Sequence, residues 1–261
     1  MKEKRIRRVS ISRLTKYSFL PSLFSLLSLF AGFLSVFQTF KGDFDRAVYL
    51  IMVSAVLDGL DGTVARLTKT ESNFGVQLDS LVDAIAFGVS TGFLIYKWGF
   101  TPEFHQFGKV IAFIFLSAGI IRLARFNVIK EADVVPANIF IGLPIPIGSI
   151  SVASIVLFFH DPIESPIWIM IFSFFVILIS FLMISNIQYK TLKKVNSKVG
   201  LKLLFLFAVT IALLIMYPDK ILPLIALIYC TSPIGLFISK LTKRRIKRNR
   251  DRKKALAGTE N

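Results

Sequence analysis

The segment "LDGLDGTVARLTKTESNFGVQLDSLVDA", residues 57–84, carries four aspartates between two long apolar stretches of the chain. An aspartate at the centre of a membrane-spanning helix costs roughly 2.5–3.5 kcal/mol on insertion scales. Carboxylates at membrane depth are therefore rare and mark functional sites. The interpretation of the whole chain depends on what these four side chains do. They are Asp58, Asp61, Asp79 and Asp83.

The composition is that of a membrane protein. Of the 261 residues 54% are hydrophobic, 26 are Phe, and the mean hydropathy is +0.66. We predict an all-α, polytopic membrane bundle of about eight transmembrane helices, each near the ~20 residues that cross the hydrocarbon layer. The predicted spans are 18–40, 47–65, 76–96, 107–125, 138–158, 165–187, 201–217 and 221–239. They form one expected domain, 18–239, between a basic N-terminal arm, 1–17, and a basic C-terminal tail, 240–261.

The net charge of +16 is unevenly distributed between the two predicted sides of the membrane. On this topology 27 of the 32 lysines and arginines lie on the side of the termini and of the 66–75 connection. The positive-inside rule then places both termini and this connection in the cytoplasm. Such basic clusters set topology and bind anionic membrane lipids. Without a nucleic-acid-binding motif, no nucleic-acid partner is expected.

Helical spacing predicts that the aspartates meet. Asp58 and Asp61 are three residues apart on one predicted helix, and Asp79 and Asp83 are four apart on the next. The polar stretch "TKTESN", 68–73, supplies a short turn, so the two helices can run antiparallel with these faces together. A cluster of up to four carboxylates must be protonated, paired with basic groups, or bound to cations.

The donor atoms of this cluster favour hard cations. Carboxylate oxygens suit Mg²⁺ or Mn²⁺, and two ions bridged by shared carboxylates would be the natural arrangement. Small residues at Gly62, Ala65 and Gly75 either pack helices tightly or leave a hollow beside the carboxylates. A hollow beside bound cations, with Arg66 at its rim, is suited to a diphosphate.

The order and spacing of these residues resemble a family signature. The segment 58–83 matches DxxDGxxARx8GxxxDxxxD, the motif of the CDP-alcohol phosphotransferases, at eight fixed identities. The resemblance implies a core of six transmembrane helices and a homodimer. It also implies transfer of a phosphoalcohol from a CDP-linked donor to an acceptor hydroxyl, with release of CMP.

The resemblance also implies roles for individual residues. The four aspartates would bind two divalent ions, and Asp83 would in addition take the proton from the acceptor hydroxyl. A second set would line the CDP-lipid site, with the guanidinium of its arginine near phosphate. That set is Gly62, Ala65, Arg66, Ser72 and Gly75.

Three further segments narrow the resemblance to bacterial-type, class II phosphatidylserine synthases. They are "LPSLFSLLSLFAGFLSVF", 20–37, "RLARFNV", 122–128, and "FIGLPIPIGS", 140–149. The implied substrates are CDP-diacylglycerol and L-serine, used at the cytoplasmic face of a bacterial or archaeal inner membrane. In the first segment Ser22 and Ser25 stand where the family usually has Asn and Thr, so the amide is lost at Ser22 and both positions carry a hydroxyl.

The second of these segments contains candidate acceptor contacts. Arg122, Arg125 and Asn127 could bind the carboxylate of serine or the phosphate of the lipid. Alternatively, the two arginines lie at a cytoplasmic helix end and only set topology.

Two other functions fit part of the pattern. The same chemistry could use another acceptor, namely glycerol 3-phosphate, inositol phosphate or choline, and a phosphorylated acceptor would call for extra basic residues. Intramembrane carboxylates also occur in cation transporters. A transporter, however, does not require the glycine and arginine spacing of this motif.

Overall fold

Helices form almost all of the regular structure of the chain. The computed structural model describes residues 19–68, 73–131, 139–190 and 216–231. The helices are α1 (Phe19–Lys41), α2 (Phe44–Thr68), α3 (Asn73–Asp83), a π-helical segment (Ala84–Val89), α4 (Ser90–Trp98), a 3₁₀ turn (Pro102–Phe104), α5 (His105–Glu131), α6 (Ile145–Phe159), α7 (Pro166–Ile184) and α8 (218–231). Two three-residue strands, β1 (Ile139–Ile141) and β2 (Gln188–Lys190), pair antiparallel.

Five of the described helical stretches are long and apolar enough to cross a membrane. One of them is continuous through α3, the π-helical segment and α4. The five are Ser22–Lys41, Phe44–Val64, Phe74–Trp98, Pro102–Ile129 and Pro166–Ile184. These helices identify an integral membrane protein, and the prediction of a polytopic helical bundle is confirmed.

The fifth predicted span, 138–158, is wrong at its N-terminal end. Residues Ile139–Ile141 form β1, and α6 begins only at Ile145, which leaves a helix of 15 residues. Gly142 adopts a positive φ of 77° between the two elements. Pro144 directly precedes the helix with an extended ψ of 141°. A left-handed residue followed by a proline cannot continue a helix, so α6 starts late.

The predicted spans near the C-terminus fall largely outside the described residues. Only the end of the span predicted at 201–217 is described. The last span, predicted at 221–239, is represented by α8 over 218–231. The basic arm and the basic tail lie outside the described residues, so the domain boundaries remain a prediction.

The interior of the bundle contains many small hydroxyl residues. Between α1 and α2, the hydroxyls of Ser28 and Ser54 are 2.8 Å apart, and Ser35 donates to the carbonyl of Ala47 over 2.9 Å. Large apolar side chains instead cover the outside, including Phe30, Phe113, Phe174, Met170 and Phe181. Small polar contacts inside and large apolar groups outside are typical of helices that pack within lipid.

Candidate active site

Three of the four aspartates meet between α2 and α3. One carboxylate oxygen from each of Asp58, Asp79 and Asp83 lies within 4.8 Å of the others. The carboxyl of Asp58 lies next to those of both Asp79 and Asp83. Asp83 is only 7% exposed, and its Oδ1 is buried without a hydrogen-bond partner. We call these three residues the carboxylate trio.

The charge of the carboxylate trio is not balanced by the described side chains around it. Arg122 on α5 is 5% exposed and lies close enough to attract both Asp58 and Asp83 electrostatically. One guanidinium cannot neutralise three carboxylates that are partly removed from water. An all-oxygen donor set that includes a buried oxygen without a partner fits a hard divalent cation.

Asp61 is held apart from the carboxylate trio. Its carboxylate is 6% exposed and accepts a hydrogen bond from the hydroxyl of Ser25 on α1. The contact joins α1 to α2, and the two bonded residues are 36 positions apart in sequence. The retained hydroxyl at Ser25 was visible in the sequence, but nothing in the local pattern pointed to Asp61 as its partner.

A π-helical segment begins directly after Asp83. It spans Ala84–Val89, and the hydroxyl of Ser90 donates to the carbonyl of Ala86 within it. Short π segments are rare and occur frequently at functional sites, since the wider turn changes which side chains face a neighbouring helix. Here Asp79 and Asp83 keep α-helical spacing, while Phe87 and Gly88 turn into the core. The sequence analysis did not predict this segment.

The residues predicted to line the CDP-lipid site lie around the turn between α2 and α3. Gly62 is exposed near the end of α2, and Gly75 is partly buried in the first turn of α3. Ala65 and Arg66 belong to the last turns of α2, where the structure describes the backbone alone. Ser72 falls outside the described residues. Their role in donor binding therefore stays a prediction.

Arg125 is engaged at the end of another helix. Its Nη1 donates to the carbonyl of Ile184 over 2.7 Å and to Oδ1 of Asn186 over 3.1 Å, and its Nη2 donates to the carbonyl of Ser185 over 2.8 Å. These bonds satisfy groups left open where α7 ends. Gly142 lies alongside, and a Cβ at that position would approach Nη2 to 3.1 Å. In this structure Arg125 acts as a C-terminal cap of α7.

Asn127 supports the helix that carries Asp79. Its Nδ2 donates to the hydroxyl of Ser80 over 2.9 Å, and Ser80 also hydrogen-bonds to the carbonyl of Val76 over 3.1 Å. Asn127 therefore ties α5 to α3 next to the carboxylate trio. Of the three predicted acceptor contacts, Arg122 is the one that interacts electrostatically with the trio.

Two tyrosines that the sequence analysis missed continue the site beyond Arg122. Tyr229 on α8 lies within electrostatic range of Arg122. The ring of Tyr229 stacks on that of Tyr189 in β2, with centroids 5.4 Å apart and planes 8° from parallel. Tyr189 is 2% exposed, and its hydroxyl is buried without a hydrogen-bond partner. No local signal distinguished these two from other aromatic residues of the chain.

Comparison with known proteins agrees with this site. The sequence model of the family described as CDP-alcohol phosphatidyltransferase matches residues 18–179, which include all four aspartates. A CDP-diacylglycerol–serine O-phosphatidyltransferase of Helicobacter pylori is 38% identical over 205 residues, covering 76% of this chain and 82% of the relative.

Two archaeal proteins are similar over comparable lengths. A CDP-diacylglycerol–serine O-phosphatidyltransferase of Methanocaldococcus jannaschii is 34% identical, covering 82% of this chain and 92% of the relative. An archaetidylserine synthase of Methanothermobacter thermautotrophicus is 33% identical, covering 68% of this chain and 72% of the relative. The family prediction is thereby confirmed: the chain belongs to the CDP-alcohol phosphatidyltransferase family.

Proposed function

We propose that the protein transfers the phosphatidyl group of CDP-diacylglycerol to the hydroxyl of L-serine, giving phosphatidylserine and CMP. The observation that carries this proposal is the carboxylate trio with its unpartnered, buried Asp83 oxygen. It lies in a membrane bundle whose relatives at 33–38% identity bear the names of serine transferases. The family match covers the aspartates, so the cation-transporter alternative loses its support.

Asp58, Asp79 and Asp83 are proposed to hold Mg²⁺ or Mn²⁺. Asp61 is proposed as a ligand of a second ion, with Ser25 fixing the orientation of its carboxylate. A bound divalent ion would supply charge neutralisation at the donor diphosphate and at the departing CMP. Around it, Gly62, Ala65, Arg66, Ser72 and Gly75 are proposed to line the CDP-lipid site.

Asp83 is proposed as the general base. Its carboxylate would accept the proton of the serine hydroxyl as that oxygen forms a bond to the phosphorus that carries diacylglycerol. The bond from this phosphorus to the bridging oxygen breaks, and CMP leaves with that oxygen. The proton then passes from Asp83 to solvent. The burial of Asp83 and its position within the carboxylate trio support this role.

Arg122 is proposed to bind the carboxylate of serine. A phosphorylated acceptor would bring a second anionic charge and would favour a pair of arginines. Arg125 is occupied at the end of α7, and Asn127 is occupied by Ser80. Among the residues that the structure describes, this leaves Arg122 as the arginine beside the trio. The arrangement favours serine over glycerol 3-phosphate and inositol phosphate.

The site is proposed to face the cytoplasm of a bacterial or archaeal cell. The support is the concentration of lysines and arginines in the two termini, which lie on the same predicted side as the connection between α2 and α3. Anionic lipids are the proposed partners of the basic arm and tail. A homodimer and a catalytic domain over 18–239 are proposed on the family resemblance.

Release of CMP with different acceptors tests this function. The purified protein would be assayed in mixed micelles with CDP-diacylglycerol and Mg²⁺ or Mn²⁺. Serine, glycerol 3-phosphate, inositol phosphate and choline would be added separately. We expect release that depends on serine alone, with phosphatidylserine as the lipid product. Release with a different acceptor, or no release from folded protein with any of the four, would overturn the proposal.

A further inference from the structure

Three buried side-chain atoms of the described residues have no hydrogen-bond partner. They are Oδ1 of Asp83, Nε of Arg122 and the hydroxyl of Tyr189. Buried polar atoms without partners are uncommon in folded proteins, and each calls for a specific explanation. Asp83 is explained by the proposed reaction. Arg122 has a proposed role with the carboxylate of serine, whereas the hydroxyl of Tyr189 is an O–H donor for which the reaction as described so far has no use.

These three residues lie along one line of neighbouring side chains. Arg122 attracts Asp83 on one side and lies near Tyr229 on the other. Tyr229 in turn stacks face to face on Tyr189. The line therefore starts at the carboxylate trio and ends at a buried phenol hydroxyl contributed by the chain beyond α7.

The chemistry along this line changes from acceptor to donor. Asp83 can accept a proton, whereas the Nε of Arg122 can only donate, and the hydroxyl of Tyr189 carries a proton that it can donate at neutral pH. Burial raises the pKa of Tyr189, and the neighbouring Cys230 and Tyr229 add to that effect. Tyr189 therefore stays a protonated donor. Two buried donors without acceptors suit an oxyanion.

We propose that Arg122 and Tyr189 bind the carboxylate of the acceptor amino acid, and that Tyr229 positions Tyr189 by stacking on it. This inference rests on the proposed function and identifies the pocket for its second substrate. The acceptor then lies with its hydroxyl at Asp83 and its carboxylate at the two donors. A compact molecule that carries both groups on neighbouring carbons is the substrate class that fits this order.

The two tyrosines lie outside the region that the family model matches. The family match ends at residue 179, whereas Tyr189 lies in β2 and Tyr229 in α8. The aspartates lie inside it. The proposed acceptor pocket thus combines Arg122, from the matched region, with two tyrosines from the C-terminal part of the chain.

Tyr189→Phe tests the inference, because it removes the hydroxyl and keeps the stacked ring. We expect the KM for serine to rise about tenfold or more, with the KM for CDP-diacylglycerol unchanged, as for a lost hydrogen bond to a charged group. Tyr229→Ala should cause the same selective rise. Tyr96→Phe is the matched control, since Tyr96 packs on His105 at a distance from the aspartates, and it should behave as wild type.

Serinamide, which lacks the carboxylate, distinguishes binding from a purely structural role. A purely structural role of Tyr189 would leave the preference for serine over serinamide unchanged. Wild type should have a much higher kcat/KM for serine than for serinamide. In Tyr189→Phe the ratio of these two values should be at least about tenfold lower. If Tyr189→Phe shows no turnover, serine binding to Asp83→Asn and to the Asp83→Asn, Tyr189→Phe double variant is compared by calorimetry. Weaker binding to the double variant is expected, and equal binding overturns the inference.

The remaining outcomes separate this inference from the proposed function. A wild-type enzyme with serine-dependent CMP release, combined with unchanged serine KM and discrimination in Tyr189→Phe, overturns the inference alone. A raised KM for CDP-diacylglycerol with an unchanged serine KM assigns the hydroxyl to the donor phosphate and also overturns it. Absence of serine-dependent release from wild type overturns the proposed function, and the inference with it.

Discussion

The hydroxyl of Ser25 on α1 donates a hydrogen bond to the carboxylate of Asp61 on α2. Asp61 lies outside the group formed by Asp58, Asp79 and Asp83, whose carboxylates lie together. The four aspartates of the motif therefore divide into a group of three and a fourth that α1 holds in place. Supporting hydrogen bonds of this kind orient metal ligands and tune their affinity.

Ser25→Ala should weaken metal dependence without abolishing activity. Loss of the hydroxyl leaves the Asp61 carboxylate less well oriented, so we expect the Mg²⁺ concentration for half-maximal activity to rise by about 10- to 100-fold. Ser25→Thr keeps the hydroxyl and serves as the control, with a metal response near wild type. An unchanged response in Ser25→Ala would mean that the contact does not support a metal ligand.

Removal of metal should stop the reaction reversibly. With EDTA we expect no CMP release, and with added Mg²⁺ or Mn²⁺ we expect its return, because the carboxylate trio offers only oxygen ligands. Asp79→Asn should shift the metal titration upward by more than tenfold, since it removes one anionic ligand. Asp161→Asn, on an exposed loop after α6, is the control. Full activity in EDTA would contradict the metal assignment.

Arg122 and Arg125 are three residues apart on α5 and should respond differently to substitution. Arg125→Ala removes the cap of α7, so we expect a loss of about 2 kcal/mol or more of stability and a lower thermal midpoint by several degrees. Its serine KM, measured on the folded fraction, should stay within about twofold of wild type. Arg122→Lys keeps the charge but loses the planar guanidinium, and should raise the serine KM by about tenfold. A raised serine KM in Arg125→Ala, together with lower stability and an unchanged serine KM in Arg122→Lys, would exchange the roles assigned to the two arginines.

The convergence of Asp58, Asp79 and Asp83 could be predicted from the sequence because helical periodicity fixes which positions share a face. The short polar stretch between the helices required them to be neighbours. The same reasoning also placed Asp61 in the cluster. Its actual partner, Ser25, depends on how α1 packs against α2, and no periodicity within one helix encodes that contact.

The roles of residues on α5 also depend on contacts between helices that the sequence did not predict. The sequence named Arg122, Arg125 and Asn127 as candidate contacts of the acceptor, with topology as the alternative role of the two arginines. In the structure Arg125 bonds to residues about 60 positions away at the end of α7, and Asn127 bonds to Ser80. Partners at such separations are set by tertiary packing. Tyr189 and Tyr229 were missed for the same reason, because their contact depends on how β2 and α8 pack together.

Helix boundaries were predictable where composition alone sets them. The spans near 18–40 and 165–187 agree with α1 and α7 to within a few residues at each end. The prediction of a span at 138–158 was wrong because it relied on apolar composition and gave too little weight to the effect of Gly142 and Pro144 on the backbone. Those two residues delay the start of the helix to Ile145 and leave the preceding segment to pair with β2.

The most direct test of the central claim compares the wild type with Asp83→Asn for both products. Micelles with CDP-diacylglycerol, serine and Mg²⁺ would be assayed for CMP and phosphatidylserine together, and donor binding would be followed by thermal stabilisation. We predict equal amounts of the two products from wild type. For Asp83→Asn we predict intact donor binding and a rate reduced by about 10²-fold or more, because the general base is lost. Near-wild-type turnover by Asp83→Asn, or CMP formed by wild type without phosphatidylserine, would contradict the account.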